Sequence, residues 1–114
     1  YKDHIVTNVK HYINDHIEER LTLNEVSDVF GISHNYLSVL FKKNCGIGFS
    51  EYITQTKIAR SKSMLLEENL KIYEVADRLG FETPCYFSKV FKKVEGVSPR
   101  EYLQEKTVAP EPEQ

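Results

Sequence analysis

The sequence predicts an all-α fold of about seven helices, arranged as two helix-turn-helix subdomains joined by a long linker helix. Three observations predict it: a block of sequence occurs twice, apolar residues recur at helical spacing, and no stretch reads as a strand. Asn24-Glu25-Val26-Ser27-Asp28-Val29-Phe30-Gly31-Ile32 returns 49 residues later as Tyr73-Glu74-Val75-Ala76-Asp77-Arg78-Leu79-Gly80-Phe81. Tyr36-Leu37-Ser38-Val39-Leu40-Phe41-Lys42-Lys43 returns 50 residues later as Tyr86-Phe87-Ser88-Lys89-Val90-Phe91-Lys92-Lys93, so one residue is inserted just after the glycine turn. The tails also match, Gly46-Ile47 and Glu51-Tyr52-Ile53 against Gly96-Val97 and Glu101-Tyr102-Leu103. Two copies are too few for a solenoid, whose stacked units need three or more.

A leading helix over 2–18 carries Ile5, Val9, Tyr12, Ile13 and Ile17 at helical spacing. In the first copy Thr22 caps a helix and Glu25 reaches back as a capping box. Leu23, Val26 and Phe30 form its buried stripe, and Gly31 ends it in a left-handed conformation that costs glycine little. Ser33 caps the next helix, over 34–44, which turns Leu37, Leu40 and Phe41 inward. Ser50 opens the linker helix, where Ile58, Ser61 and Leu65 share a face. The second copy repeats the plan with Ile72, Val75 and Leu79, then Gly80, then a helix capped by Thr83 with Pro84 at its first position, where the missing N–H costs nothing. There Phe87, Val90 and Phe91 face inward. Lys71 is a poor cap, which leaves the start of that copy weakly defined. A short helix over 99–106 follows Ser98. The domain organisation is thus 1–49 for the first subdomain, 50–67 for the linker helix, 68–106 for the second subdomain and 107–114 for a disordered acidic tail containing Ala109-Pro110-Glu111-Pro112-Glu113.

A chain of 114 residues makes one domain or two very small ones that are each marginal alone. With 40% hydrophobic and 28% charged residues, it has the balance of a folded domain. The net charge of −2 gives no hint of a polyanionic partner, but its distribution does. Residues 1–30 hold three Lys/Arg against six Asp/Glu, whereas residues 31–66 hold five against one. A local positive field attracts phosphate whatever the chain total. Cys45 and Cys85 stand alone, without ligand spacing, as in a reducing cytoplasm; no metal and no cofactor is expected. No apolar run approaches the roughly 20 residues of a membrane span, and the absence of an initial Met predicts a piece of a longer protein.

The outward face of the second helix in each copy carries the functional signal. Removing the apolar stripe leaves His34, Asn35, Ser38, Val39 and Lys42 in the first copy, and Pro84, Cys85, Ser88, Lys89 and Lys92 in the second. Both faces are small and polar near the helix start and basic further on, the order a groove-inserted helix needs. Asn35 has the amide to pair with adenine, Lys89 the ammonium to donate to guanine, and Val39 an apolar tip for a thymine methyl. Lys42-Lys43 and Lys92-Lys93 recur at equal positions and suit phosphates. Their structural alternative is interaction with the negative helix C-terminus, about 0.3–1 kcal/mol. Tyr36 and Tyr86, expected to be half-buried, and Ser33 have hydroxyls for phosphate. On the linker, Lys57, Arg60 and Lys62 serve phosphate contact or solubility.

Residues 4–104 resemble the DNA-binding domain of the AraC/XylS family of bacterial transcription regulators. The resemblance rests on Glu74-Val75-Ala76-Asp77-Arg78-Leu79-Gly80-Phe81, on Tyr86-Phe87-Ser88-Lys89-Val90-Phe91-Lys92-Lys93, on Gly96-Val97-Ser98-Pro99-Arg100-Glu101-Tyr102, and on Tyr36-Leu37-Ser38 with Leu40-Phe41-Lys42-Lys43 in the first copy. It implies sequence-specific binding of double-stranded DNA and regulation of transcription in the cytoplasm, with two recognition helices in successive major-groove segments. The base-reading positions fall on Asn35, Ser38, Val39, Pro84, Cys85, Ser88 and Lys89. RNA polymerase is the further partner it implies, and a sensor or receiver domain, as in a response regulator, lies outside this chain. Val39 stands where members often carry Arg, and Ser61 where they bury Ala, so the two units are not expected to read equally.

Two other classes fit less well. His4, His11 and His16 are spaced by seven and five residues, which puts no ligand or acid–base set on one helical face, so no enzyme is expected. A helical protein–protein module without DNA binding predicts exposed apolar stripes where these helices carry Lys.

Overall fold

The computed structural model describes residues 2–107, and among these it contains seven helices and no strand. They are α1 Lys2–Asp15, α2 Leu23–Phe30, α3 His34–Cys45, α4 Phe49–Leu66, α5 Ile72–Arg78, α6 Pro84–Glu95 and α7 Pro99–Thr107. The all-α fold with two helix-turn-helix units and a long linking helix is as the sequence predicts. The chain divides into two compact units, Tyr1–Lys57 and Ile58–Gln114, with the division falling inside α4. Of the expected acidic tail, Thr107 ends α7 and the rest lies outside the described residues.

In the first unit, Val9, Ile13, Val26, Leu37 and Phe41 are completely buried, and Phe49 and Ile53 of α4 close over them. The Phe41 ring meets Phe49 edge-on at 5.5 Å and Tyr52 at 5.2 Å, the geometry favoured by aromatic quadrupoles. The α2 stripe departs from its expected form. Val26 is buried, but Leu23 and Phe30 sit at the margin of the cluster, and Ser27 takes the second buried place. Its hydroxyl donates to the Asn24 carbonyl at 2.9 Å, which removes the cost of an unpaired buried polar group.

The leading helix ends at Asp15, before the expected 18. Residues 16–18 form a turn in which the His16 N–H reaches the Tyr12 carbonyl at 3.0 Å and the Ile13 carbonyl at 3.2 Å. Beyond it the carbonyls find a partner from a distant part of the chain. Lys57 of α4 donates to Ile17 O at 2.8 Å and to Glu19 O at 3.1 Å, so these groups need no further helical turn.

The second unit buries Ile58, Met64 and Leu65 of α4 with Val75, Ala76 and Leu79 of α5 and Phe87 and Phe91 of α6. Ile72 and Val90, expected inside, are half-buried and pack against this cluster. Ser61 is completely buried and donates to Ile58 O at 2.6 Å, so the hydroxyl fits where a methyl would suffice. Lys71 has no capping oxygen, and the start of α5 is secured instead by the Glu74 carboxylate, which accepts the Lys71 N–H at 2.8 Å. At α7, Ser98 and Glu101 form a reciprocal box: the Ser98 N–H donates to Glu101 at 2.9 Å and the Glu101 N–H to the Ser98 hydroxyl at 3.1 Å.

Candidate nucleic-acid interface

The two helix pairs are made by the same local chemistry. Gly31 at φ 68° and Gly80 at φ 81° occupy the left-handed region. There the N–H of Ile32 reaches Ser27 O at 3.1 Å and that of Phe81 reaches Ala76 O at 2.9 Å, closing the end of the first helix in each pair. The next helix begins at a hydroxyl cap: Ser33 accepts from Tyr36 N at 3.1 Å and Thr83 from Tyr86 N at 3.0 Å. Each hydroxyl keeps its own O–H to donate, so Ser33 can cap and still serve a phosphate oxygen.

With α3 and α6 fixed by Leu37, Leu40, Phe41 and by Phe87, Phe91, the predicted faces turn to solvent. Asn35, Val39, Lys42 and Lys43 are exposed on α3, as are Pro84, Cys85, Lys89, Lys92 and Lys93 on α6, and Ser38 and Ser88 are half-buried beside them. Val39 is 67% exposed, the most open large apolar side chain among the described residues. Tyr36 and Tyr86 are more open than expected, at 40% and 57%. Cys85 is exposed and Cys45 half-buried, both as free thiols. Among the described residues no group of His, Cys, Asp or Glu is placed to hold a metal ion.

The electrostatics of these helices are one-sided. The α3 sequence contains no acid at all, and α6 contains only Glu95. Glu95 is paired with Lys62 of α4 at 3.2 Å, and both side chains are partly shielded. Lys42 and Lys43, like Lys92 and Lys93, lie in the last turn of their helices, where they also offset the negative end.

Lys57, predicted to meet phosphate, is committed elsewhere. Its ammonium is half-buried on the Ile17 and Glu19 carbonyls, and burial pushes its pKa below the ordinary lysine value against the raising influence of Glu18. Lys62 is likewise engaged by Glu95. Two exposed residues stand at the same ends of the helix pairs, His34 already on the predicted outward face but without a stated contact, and Glu82 not singled out by the sequence. His34 opens α3, and Glu82 precedes the Thr83 cap and borders an open groove with Tyr73, Phe81 and Pro84. The change in repeat offset was the signal that points to Glu82.

The family model described as a helix-turn-helix domain matches residues 26–105. The chain is 38% identical over 106 residues to the uncharacterized HTH-type transcriptional regulator YtdP of Bacillus subtilis (strain 168), covering 93% of this chain and 14% of that protein. It is 39% identical over 110 residues to the uncharacterized HTH-type transcriptional regulator YijO of Escherichia coli (strain K12), covering 90% of this chain and 39% of the relative. It thus spans well under half the length of these two relatives. Among solved structures, it resembles the C-terminal domain of AraT, a response regulator from Geobacillus stearothermophilus, at a TM-score of 0.87 and 36% identity, covering 92% of this chain and 88% of that one. The match over residues 26–105 takes in α3 and all of α4 to α6, and with it this chain belongs to the AraC-type helix-turn-helix domain family.

Proposed function

We propose that this chain binds double-stranded DNA sequence-specifically and thereby regulates transcription, with α3 and α6 as recognition helices in successive major-groove segments. One observation carries the reading. Each unit presents, at the same place in a repeated plan, a helix whose exposed face runs from small polar groups to paired lysines and bears no unpaired acid. Asn35, Ser38 and Val39, and Pro84, Cys85, Ser88 and Lys89, meet base edges. Ser33, Tyr36, Lys42, Lys43, Tyr86, Lys92 and Lys93 meet the sugar–phosphate backbone; Lys57 is left out because its ammonium is spent on backbone carbonyls. Half-sites then lie about one helical turn, roughly 34 Å, apart.

The chain works in the cytoplasm as the DNA-binding part of a longer regulator. A sensor or receiver module supplies its signal, and RNA polymerase is the partner that carries the outcome. The likeness to the C-terminal domain of a response regulator supports the first of these; no described helix is long and apolar enough to cross a membrane.

Selection from a random double-stranded library at several salt concentrations tests the reading. A defined motif with a linear dependence of log K on log salt is expected. Retention of no sequence above background at low salt, or retention of every sequence alike, would overturn it.

A further inference from the structure

The two units differ in length at one place in the helix-turn-helix pair, and the hydrogen bonds identify the added residue. Ile32 and Phe81 are equivalent, because the N–H of each bonds the carbonyl five residues earlier, on Ser27 and Ala76. Ser33 and Thr83 are equivalent, because each hydroxyl caps the N–H three residues later. Ile32 and Ser33 are adjacent in the chain, whereas Glu82 separates Phe81 from Thr83. The inserted residue is Glu82. It is exposed, as are its neighbours Thr83, Pro84 and Cys85 at the start of α6, and no hydrogen bond or ion pair among the described residues engages its carboxylate.

A carboxylate just ahead of a helix N-terminus is favoured by the helix dipole, but beside DNA phosphates it is repelled and weakens binding unless a base donates a hydrogen bond to it. We propose that Glu82 is a specificity-determining residue of the second unit, accepting a hydrogen bond from the N4 amino group of a cytosine at the edge of that unit's half-site. The inference rests on the DNA-binding reading given above. A carboxylate only accepts hydrogen bonds. In the major groove the donors are cytosine N4 and adenine N6, while guanine presents acceptors and thymine an acceptor and a methyl group. Adenine N6 lies beside the N7 lone pair, which repels a carboxylate; cytosine carries no acceptor of its own on that edge. The first unit has no residue at this place, so the insertion gives the second unit a base preference that its duplicate lacks.

Parallel selections with the full chain, Glu82→Ala and Glu82→Gln test the assignment. Wild type is expected to select cytosine at one position of the second half-site, with roughly tenfold discrimination. Glu82→Ala evens out that position and keeps the others. Glu82→Gln moves the preference to adenine, since a side-chain amide pairs with N6 and N7 together. One unchanged base matrix for all three proteins, even with a uniform gain in affinity on removing the charge, overturns the role of Glu82 and leaves DNA binding standing. Failure of wild type to select any motif overturns both.

Discussion

Lys57 shows how a single side chain is reassigned by its surroundings. In the sequence it is one more cation available to phosphate; in the fold it secures the connection between α1 and α2. Lys57→Met is therefore expected to cost stability on the order of 1–2 kcal/mol in denaturant unfolding while leaving the salt slope of DNA binding unchanged. Because its pKa is lowered by burial, the unfolded chain binds more protons at this site between the folded value and 10.5. Stability from this group rises with pH across that window, a rise that the Met variant loses. Glu101 has the opposite character. The Ser98 N–H, then the Ser98 side chain and Lys92, hold its carboxyl below the ordinary 4.5. Its contribution is present above that value and is lost as pH falls through the folded one. Glu101→Gln keeps the capping geometry, so the stability gap from wild type should be flat above pH 4.5 and close on acidification. On the binding side, Lys89→Ala is expected to relax one base position at about 1–3 kcal/mol, whereas Lys43→Ala weakens all sequences alike in the same titrations. The outward polar faces were legible because they are what remains after the apolar stripe is removed. Lys57 and Lys62 were not, because the groups they meet are set by packing, for Lys57 a carbonyl 40 residues away and for Lys62 a carboxylate on α6. Ser27 was not, because its burial is set by packing although its hydroxyl bonds a carbonyl three residues back.

At the level of elements, the boundaries that the sequence predicts well are those fixed by a hydroxyl cap just ahead of the helix. Thr22, Ser33, Thr83 and Ser98 cap through atoms in their own first turn, and Pro84 opens α6 as expected. The end of α1 and the start of α5 were less legible. The first depends on a lysine from α4, and the second on Glu74 working from inside the helix without a capping side chain ahead of it. Thr83→Ala is expected to destabilise the fold by about 1 kcal/mol in chemical denaturation, with Thr83→Ser close to wild type. At Gly31 an added Cβ would meet nothing within 4 Å, so the cost of Gly31→Ala is torsional alone, about 1 kcal/mol or slightly more, and arises from φ 68°. A D-alanine placed there by chemical synthesis should reverse the sign, since its favoured backbone region is the one the turn uses. Calorimetry of the two epimers measures both effects on one scaffold.

For the molecule as a whole, the net charge of −2 and the pI near 6.1 hide its binding character. If Lys42, Lys43, Lys92 and Lys93 supply the phosphate contacts, the slope of log K against log salt should be roughly −3 to −4. A slope near zero would remove these lysines from the interface. Fold class was legible at this scale because duplication writes the same apolar spacing twice. The hydrophobic clusters beneath α3 and α6 have no residue in common. Its consequence is evolutionary. An allele that softens the packing around Leu79 need not erode the packing around Ile13, so lineages can retune one half of a bipartite address while inheriting the other intact. Operators should then drift one box at a time.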